Sequence, residues 1–236
     1  MEPDPARPPT LWQPDLTVEW APREDRLGCR SWGYTSSDGI FLDRDVVARW
    51  FRNQPARKAI SRLMGLNFHE VAHAIFTPDH SLLAALVGGR ATLALDAHAF
   101  NALEDQRIER LLIDRYPAAR RSIVECVEAA VSVTEDESFL LLHGRDHVRA
   151  VLRETVGGAF RRKYGRRTYE RLTGIIDNYV AIDNARAVRR MVDLAHQLTD
   201  LRVELGLAEA PEDQTNAIDH WDSNKLDEFD WGEIST

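Results

Sequence analysis

The chain has 236 residues, 44% apolar and 29% charged, enough for one sizeable domain whose core needs no disulfide staple. A formal charge of −8 argues against a general polyanion binder, because phosphate binding depends on clustered Lys and Arg. No apolar run reaches the roughly 18 residues of a membrane span, the start has no secretory pattern, and the two cysteines, Cys29 and Cys126, make no disulfide framework, so a cytoplasmic protein away from membranes is expected.

The charge is unevenly placed. From Leu207 onward nine acids face a single base, Lys225, so that stretch carries the whole excess and residues 1–206 balance. The expected organisation is a proline-rich, disordered lead-in over 1–13, a compact domain over 14–206 and an acidic tail over 207–236. Disorder is the default reading of the tail, and Trp221 and Trp231 among the acids suit a docking segment better than a purely solubilising one.

In chain order, residues 16–20 alternate as a strand does, and 30–35 and 39–42 flank Ser36-Ser37-Asp38 as the arms of a hairpin. Asp43 suits the N-cap of a helix over 44–52. From Ala56 the period becomes helical. Helices are predicted over 57–76, stopped by Thr77-Pro78, over 80–87, over 92–115, closed before Pro117, and over 118–133. Shorter ones follow near 137–142 and 145–156, with a break at Gly157-Gly158, then longer ones over 167–184 and 185–206. The fold class is α+β, mainly α, with a small antiparallel N-terminal sheet ahead of a helical body. Residues 145–190 hold twelve bases against five acids. A solvated helix surface is the simplest reading; a patch for an acidic partner, or one covered by the tail, are the others.

The chemistry concentrates in Gly65-Leu66-Asn67-Phe68-His69-Glu70-Val71-Ala72-His73-Ala74-Ile75-Phe76, which contains HExxH in an apolar helix. At about 3.6 residues per turn, His69 and His73 project from one face, the spacing at which two imidazoles hold one Zn²⁺. Glu70 lies beside them as general base for a metal-activated water. Catalytic zinc takes three protein ligands and one water. The third is expected in Asn101-Ala102-Leu103-Glu104-Asp105-Gln106-Arg107-Ile108-Glu109 on the next long helix, with Glu104 as ligand and Asp105, Asn101 and Glu109 as candidates for orienting the histidines. Asp79, ten residues after His69, is the alternative third ligand, although the class that uses this spacing needs a Gly where Phe76 stands. His80 and His98 are weaker, and His143, His147, His196 and His220 read as ordinary histidines. Tyr116, Tyr164, Tyr169, Tyr179, His143, His147 and several arginines remain open as donors to a developing oxyanion.

The run from His69 to Glu109 resembles zincin-like metallopeptidases of the gluzincin type, with HExxH on one helix and an acidic ligand on the next. HEVAHAIFT followed by NALEDQRIE is similar, more narrowly, to the metallopeptidase region found beside von Willebrand A domains in cobaltochelatase-subunit-like and phage-encoded proteins, which often accompany AAA+ ATPases. The resemblance covers about 40 residues and implies a zincin-like fold, one Zn²⁺ per chain, a peptide or protein substrate, and an edge strand from residues 30–42 that pairs with it. Two features depart from it. The gluzincin pattern places an Asp four residues after the ligand Glu, where this chain has Ile108, so Asp105 or Glu109 must take that role. No DxSxS metal-adhesion motif is present.

A zinc-dependent endopeptidase is therefore the leading expectation. The alternative is a catalytically silent, zinc-stabilised adaptor serving a partner such as an AAA+ ATPase, through the acidic tail or the basic 145–190 segment. An intact Glu70 weighs against it, since a structural site needs no such carboxylate. Nucleic-acid binding has no supporting motif.

Overall fold

The computed structural model describes residues 17–20, 32–35, 39–78, 93–131 and 150–207. The alternating N-terminal segments form three short strands, β1 (Thr17–Trp20), β2 (Gly33–Thr35) and β3 (Gly39–Leu42). Their order across the sheet is β1-β3-β2. β2 and β3 are antiparallel, with Gly33 opposite Leu42 and Thr35 opposite Ile40. β1 runs parallel to β3, Val18 opposite Ile40. The sheet is thus mixed rather than antiparallel as expected. Alternation marks strands but not their direction, and the stretch between Trp20 and Gly39 is long enough to carry the chain across before it returns beside β1.

Seven α-helices follow among the described residues: α1 (Arg44–Asn53), α2 (Ala56–Phe76), α3 (Leu93–Arg115), α4 (Arg120–Val131), α5 (Ala150–Tyr164), α6 (Arg166–Val180) and α7 (Val188–Glu204). Asp43 caps α1, its Oδ1 accepting from the backbone N–H of Asp45 at 2.6 Å and of Val46 at 3.2 Å. α2 ends where Thr77-Pro78 forces the chain out of helical conformation. The expected break at Gly157-Gly158 is not made: both glycines lie inside α5. Interior glycines cost about 1 kcal/mol each, and burial of Phe160 at the end of the same helix outweighs that. The turn falls instead at Gly165, whose φ of +85° is open to glycine and strained for other residues. The lead-in 1–13, the turn 36–38, the helices expected over 80–87 and 137–142, Asp79, His80, His143, His147, His220 and the tail beyond residue 207 lie outside the described residues. None of the described helices is long and apolar enough to cross a membrane.

Three apolar clusters surround α2 and α3. Ile40 and Leu42 of β3 pack with Val47 and Trp50 of α1, and with Ala59 and Leu66 of α2. Ala72 of α2, Ile108 and Leu112 of α3, and Ile123 and Val127 of α4 form the second. Phe100 and Leu103 of α3 join Ile176 and Tyr179 of α6 and Met191 and Leu198 of α7 in the largest. α3 therefore runs through the middle of the molecule, and every residue from 99 to 109 is buried.

α2 and α4 approach so closely at Gly65 that a Cβ there would lie 2.2 Å from the Ser122 carbonyl oxygen and 2.7 Å from Cys126 Cβ. Alanine is the better helix former, yet here the obstacle is backbone that cannot swing aside. Gly65→Ala is expected to lower unfolding free energy by about 3 kcal/mol through overpacking, measurable by urea denaturation. A neutral or stabilising result would mean that the two helices separate freely.

Candidate metal centre

His69, Glu70 and His73 come from α2, and α3 brings a second set of polar groups against them. A helix with no solvent-facing side is normally apolar all round. α3 instead buries Asn101, Glu104, Asp105, Gln106, Arg107 and Glu109. Buried polar groups are costly unless paired, so the partner of each defines its role.

Asp105 faces the histidines. Its Oδ1 lies 3.2 Å from His73 Nε2 and 3.7 Å from His69 Nε2, and the two Nε2 atoms are 3.2 Å apart. A tetrahedral ion with ligands at about 2.0–2.1 Å sets its ligand atoms roughly 3.3 Å from one another. The three atoms already stand on such a triangle, and His69, His73 and Asp105 form a group that could hold a metal ion. Two imidazole nitrogens with one carboxylate oxygen suit a divalent transition-metal ion, zinc and iron(II) among them. The rings keep 16% and 11% of their surface exposed against 1% for Asp105, so solvent reaches the group from the side of the rings.

The far side of each ring is anchored. His69 Nδ1 is 2.8 Å from Glu109 Oε1, and His73 Nδ1 is 2.9 Å from Thr77 Oγ1. An Nδ1–H donated outward leaves each Nε2 lone pair directed at the shared centre, the tautomer a metal needs. Thr77 thus serves both as the stop of α2 and as the support of a ring one turn earlier.

Glu104 is engaged elsewhere. Its Oε1 accepts from Arg107 Nη2 at 2.6 Å, and its Oε2 accepts from Arg107 Nε at 2.7 Å and from the Tyr179 hydroxyl at 3.1 Å. Successive residues on a helix point about 100° apart. With Glu104 turned toward α6, Asp105 is the residue turned toward α2. The place facing the two histidines, expected for Glu104, is taken by Asp105, and Glu109 rather than Asp105 lies behind His69. Asp105 and Glu109 are four residues apart, one turn along the same face of α3. Asn101 is buried one turn before Asp105.

Arg107, wholly buried, also donates to the carbonyl oxygen of Phe76 at 2.7 Å and of Ile182 at 3.4 Å. It ties the end of the histidine-bearing helix to α3 and to the turn after α6. The Tyr179 hydroxyl, held by Glu104 and buried, does not face the open side of the group. Tyr164 and Tyr169 pack against the largest apolar cluster and Tyr116 against the second. His196 lies across from Asp96, Nε2 to Oδ2 3.8 Å, between α7 and α3.

Glu70 is 2% exposed and sits under β2. Thr35 Oγ1 lies 2.9 Å from Glu70 Oε2 and 2.9 Å from the Glu70 carbonyl oxygen. Burial holds the Glu70 carboxyl above the ordinary carboxylate range, against the pull of His69, His73 and the Thr35 hydroxyl. A carboxylate raised in this way is a better proton acceptor near neutrality. Thr35, Thr77 and the Arg107–Tyr179 link escape a reading of spacing alone. Only Thr77, four residues after His73, carries a local signal.

Burial lowers the proton affinity of His69, but Asp105, Glu109 and Glu70 together overrule it and push the imidazole from 6.5 up to about 10. In the metal-free protein His69 is then protonated, and a metal must displace that proton. A group whose pKa is raised on folding contributes stability that is complete below its unfolded value and is lost as pH rises through its folded value. The chelated protein is expected to lose thermal stability progressively from pH 6.5 to about 10, and the zinc-loaded protein, with His69 already neutral, to lose less. Melting curves at matched ionic strength check this; a flat profile for the chelated protein would refute it.

Compared with protein-family models, with curated proteins and with solved structures, the chain matches none.

Proposed function

We propose that the protein is a zinc-dependent endopeptidase of zincin-like design, with one Zn²⁺ per chain held by His69 Nε2, His73 Nε2 and Asp105 Oδ1. The observation that carries this reading is the triangle of three donor atoms with its rings anchored from behind by Glu109 and Thr77, next to a buried carboxylate that is not part of it. Zinc there supplies polarisation of a substrate carbonyl and a water of lowered pKa.

The chain's own groups do the rest. Glu70 takes a proton from the attacking water and delivers it to the leaving amine. Glu109 and Thr77 keep the rings in the ligating tautomer. β2, an edge strand among the described residues and directly over Glu70, is the strand on which an extended peptide would lie, which favours an unfolded or flexible substrate over a defined sequence.

Glu70→Gln tests the reading. The substitution keeps shape and removes the base, so zinc should remain at one per chain while cleavage of fluorescein-labelled casein falls by about 10²–10⁴-fold. Stoichiometric zinc with no cleavage by the native protein would instead indicate a metal-stabilised adaptor, and absence of bound zinc would remove both.

A further inference from the structure

We propose that Thr35 is a positioning residue for Glu70, a hydroxyl on β2 that fixes the direction of the carboxyl. The inference rests on the peptidase reading. Thr35 and Glu70 are far apart in sequence and meet because β2 lies across α2. Thr35 Oγ1 is 2.9 Å from the carboxylate oxygen Oε2 and 2.9 Å from the carbonyl oxygen of the same residue. Both are acceptors, and a threonine hydroxyl has one hydrogen, so it donates to one of them at a time.

The hydroxyl oxygen therefore stands at equal distance from the side chain and the backbone of one residue. The bond to the carboxylate oxygen Oε2 is the charge-assisted and stronger choice, so a strand seated on α2 holds the carboxyl in one direction.

A second contact from the same strand limits the other oxygen. Gly33 is two residues before Thr35, so both face α2. A Cβ at Gly33 would stand 3.0 Å from Glu70 Oε1 and 3.0 Å from the Phe41 carbonyl oxygen. The bare glycine backbone leaves just enough room for the carboxylate, and Thr35 fixes its direction. A strand that served only as a lid would need neither residue.

The test uses zinc-loaded full-length protein with fluorescein-labelled casein. Thr35→Val keeps the shape and removes the hydroxyl. It should lower kcat about 10- to 100-fold, with KM and zinc stoichiometry unchanged, because the base is misaimed rather than absent. Thr35→Ser restores the hydroxyl and should return kcat to within about threefold of the native value. If Thr35→Val fails to fold, Thr35→Ala carries the same expectation. Native kcat in the valine variant, an equal loss in the serine and valine variants, or loss of zinc would each overturn the assignment. Failure of this inference leaves a native protein whose cleavage still depends on Glu70. Failure of the peptidase reading shows as a native protein that cleaves no better than Glu70→Gln, and Thr35 then loses its role with it.

Discussion

Asp105→Ala is expected to abolish stoichiometric zinc binding, whereas Glu104→Gln is expected to leave it intact. The two residues are neighbours in sequence, and either could be taken for the third ligand on spacing. Their surroundings separate them. Asp105 Oδ1 completes a triangle of about 3.2–3.7 Å with two imidazole nitrogens, while both oxygens of Glu104 accept from Arg107. Removing one of three protein ligands leaves two, too few for a closed zinc site. Glu109→Ala removes the support behind His69 and is expected to weaken metal binding about 10- to 100-fold without abolishing it. Zinc content after gel filtration, with competition against a chromogenic chelator, distinguishes the three. Retention of zinc by Asp105→Ala together with its loss in Glu104→Gln would restore Glu104 as the ligand.

The second large effect falls on stability. Arg107→Leu is expected to cost about 3–5 kcal/mol, because it leaves the Glu104 carboxylate buried with its countercharge gone. It also removes a donor from the Phe76 carbonyl oxygen at the end of α2, where a cation is favourable to the helix. The same logic predicts a recovery. Replacing both members, Arg107→Leu with Glu104→Leu, removes the orphaned charge and should regain a large part of the loss, since an apolar pair of similar volume does about as well as a buried ion pair. Urea denaturation of the two single variants and the double variant provides the cycle. Additive losses would mean that Glu104 and Arg107 are not coupled, contrary to their two short hydrogen bonds.

Much of this was legible beforehand, and the reasons differ from element to element. HExxH in an apolar helix marks the face of α2 on which His69 and His73 lie together, because their spacing of four is about one helical turn. The helices expected over 44–52, 57–76 and 92–115 run over 44–53, 56–76 and 93–115, within one residue at each end, because Asp43, Thr77-Pro78 and Pro117 act locally. What stayed hidden depends on partners distant in sequence. Which of Glu104 and Asp105 faces the histidines depends on Tyr179 and on Arg107, itself three residues from Glu104 but anchored on Phe76 and Ile182. Ile108, four residues after Glu104, was the available clue: the helper acid sits instead at Glu109, four residues after Asp105. Likewise, nothing near Thr35 marks it as a neighbour of Glu70. The parallel pairing of β1 and the continuation of α5 through Gly157-Gly158 were also decided by tertiary packing, which overrides local preference.

Between residues 99 and 109 α3 has no free side, and this constrains how the site can change. Bringing Glu104 round to the rings would require turning the helix by about 100°. That rotation would pull the Arg107 guanidinium out of its place between Phe76 and Ile182 and swing Asp105 into an apolar cluster. A small readjustment between the two acids is therefore barred by the helix as a whole. Which acid faces the histidines is decided on the opposite flank of α3, by Arg107 and Tyr179.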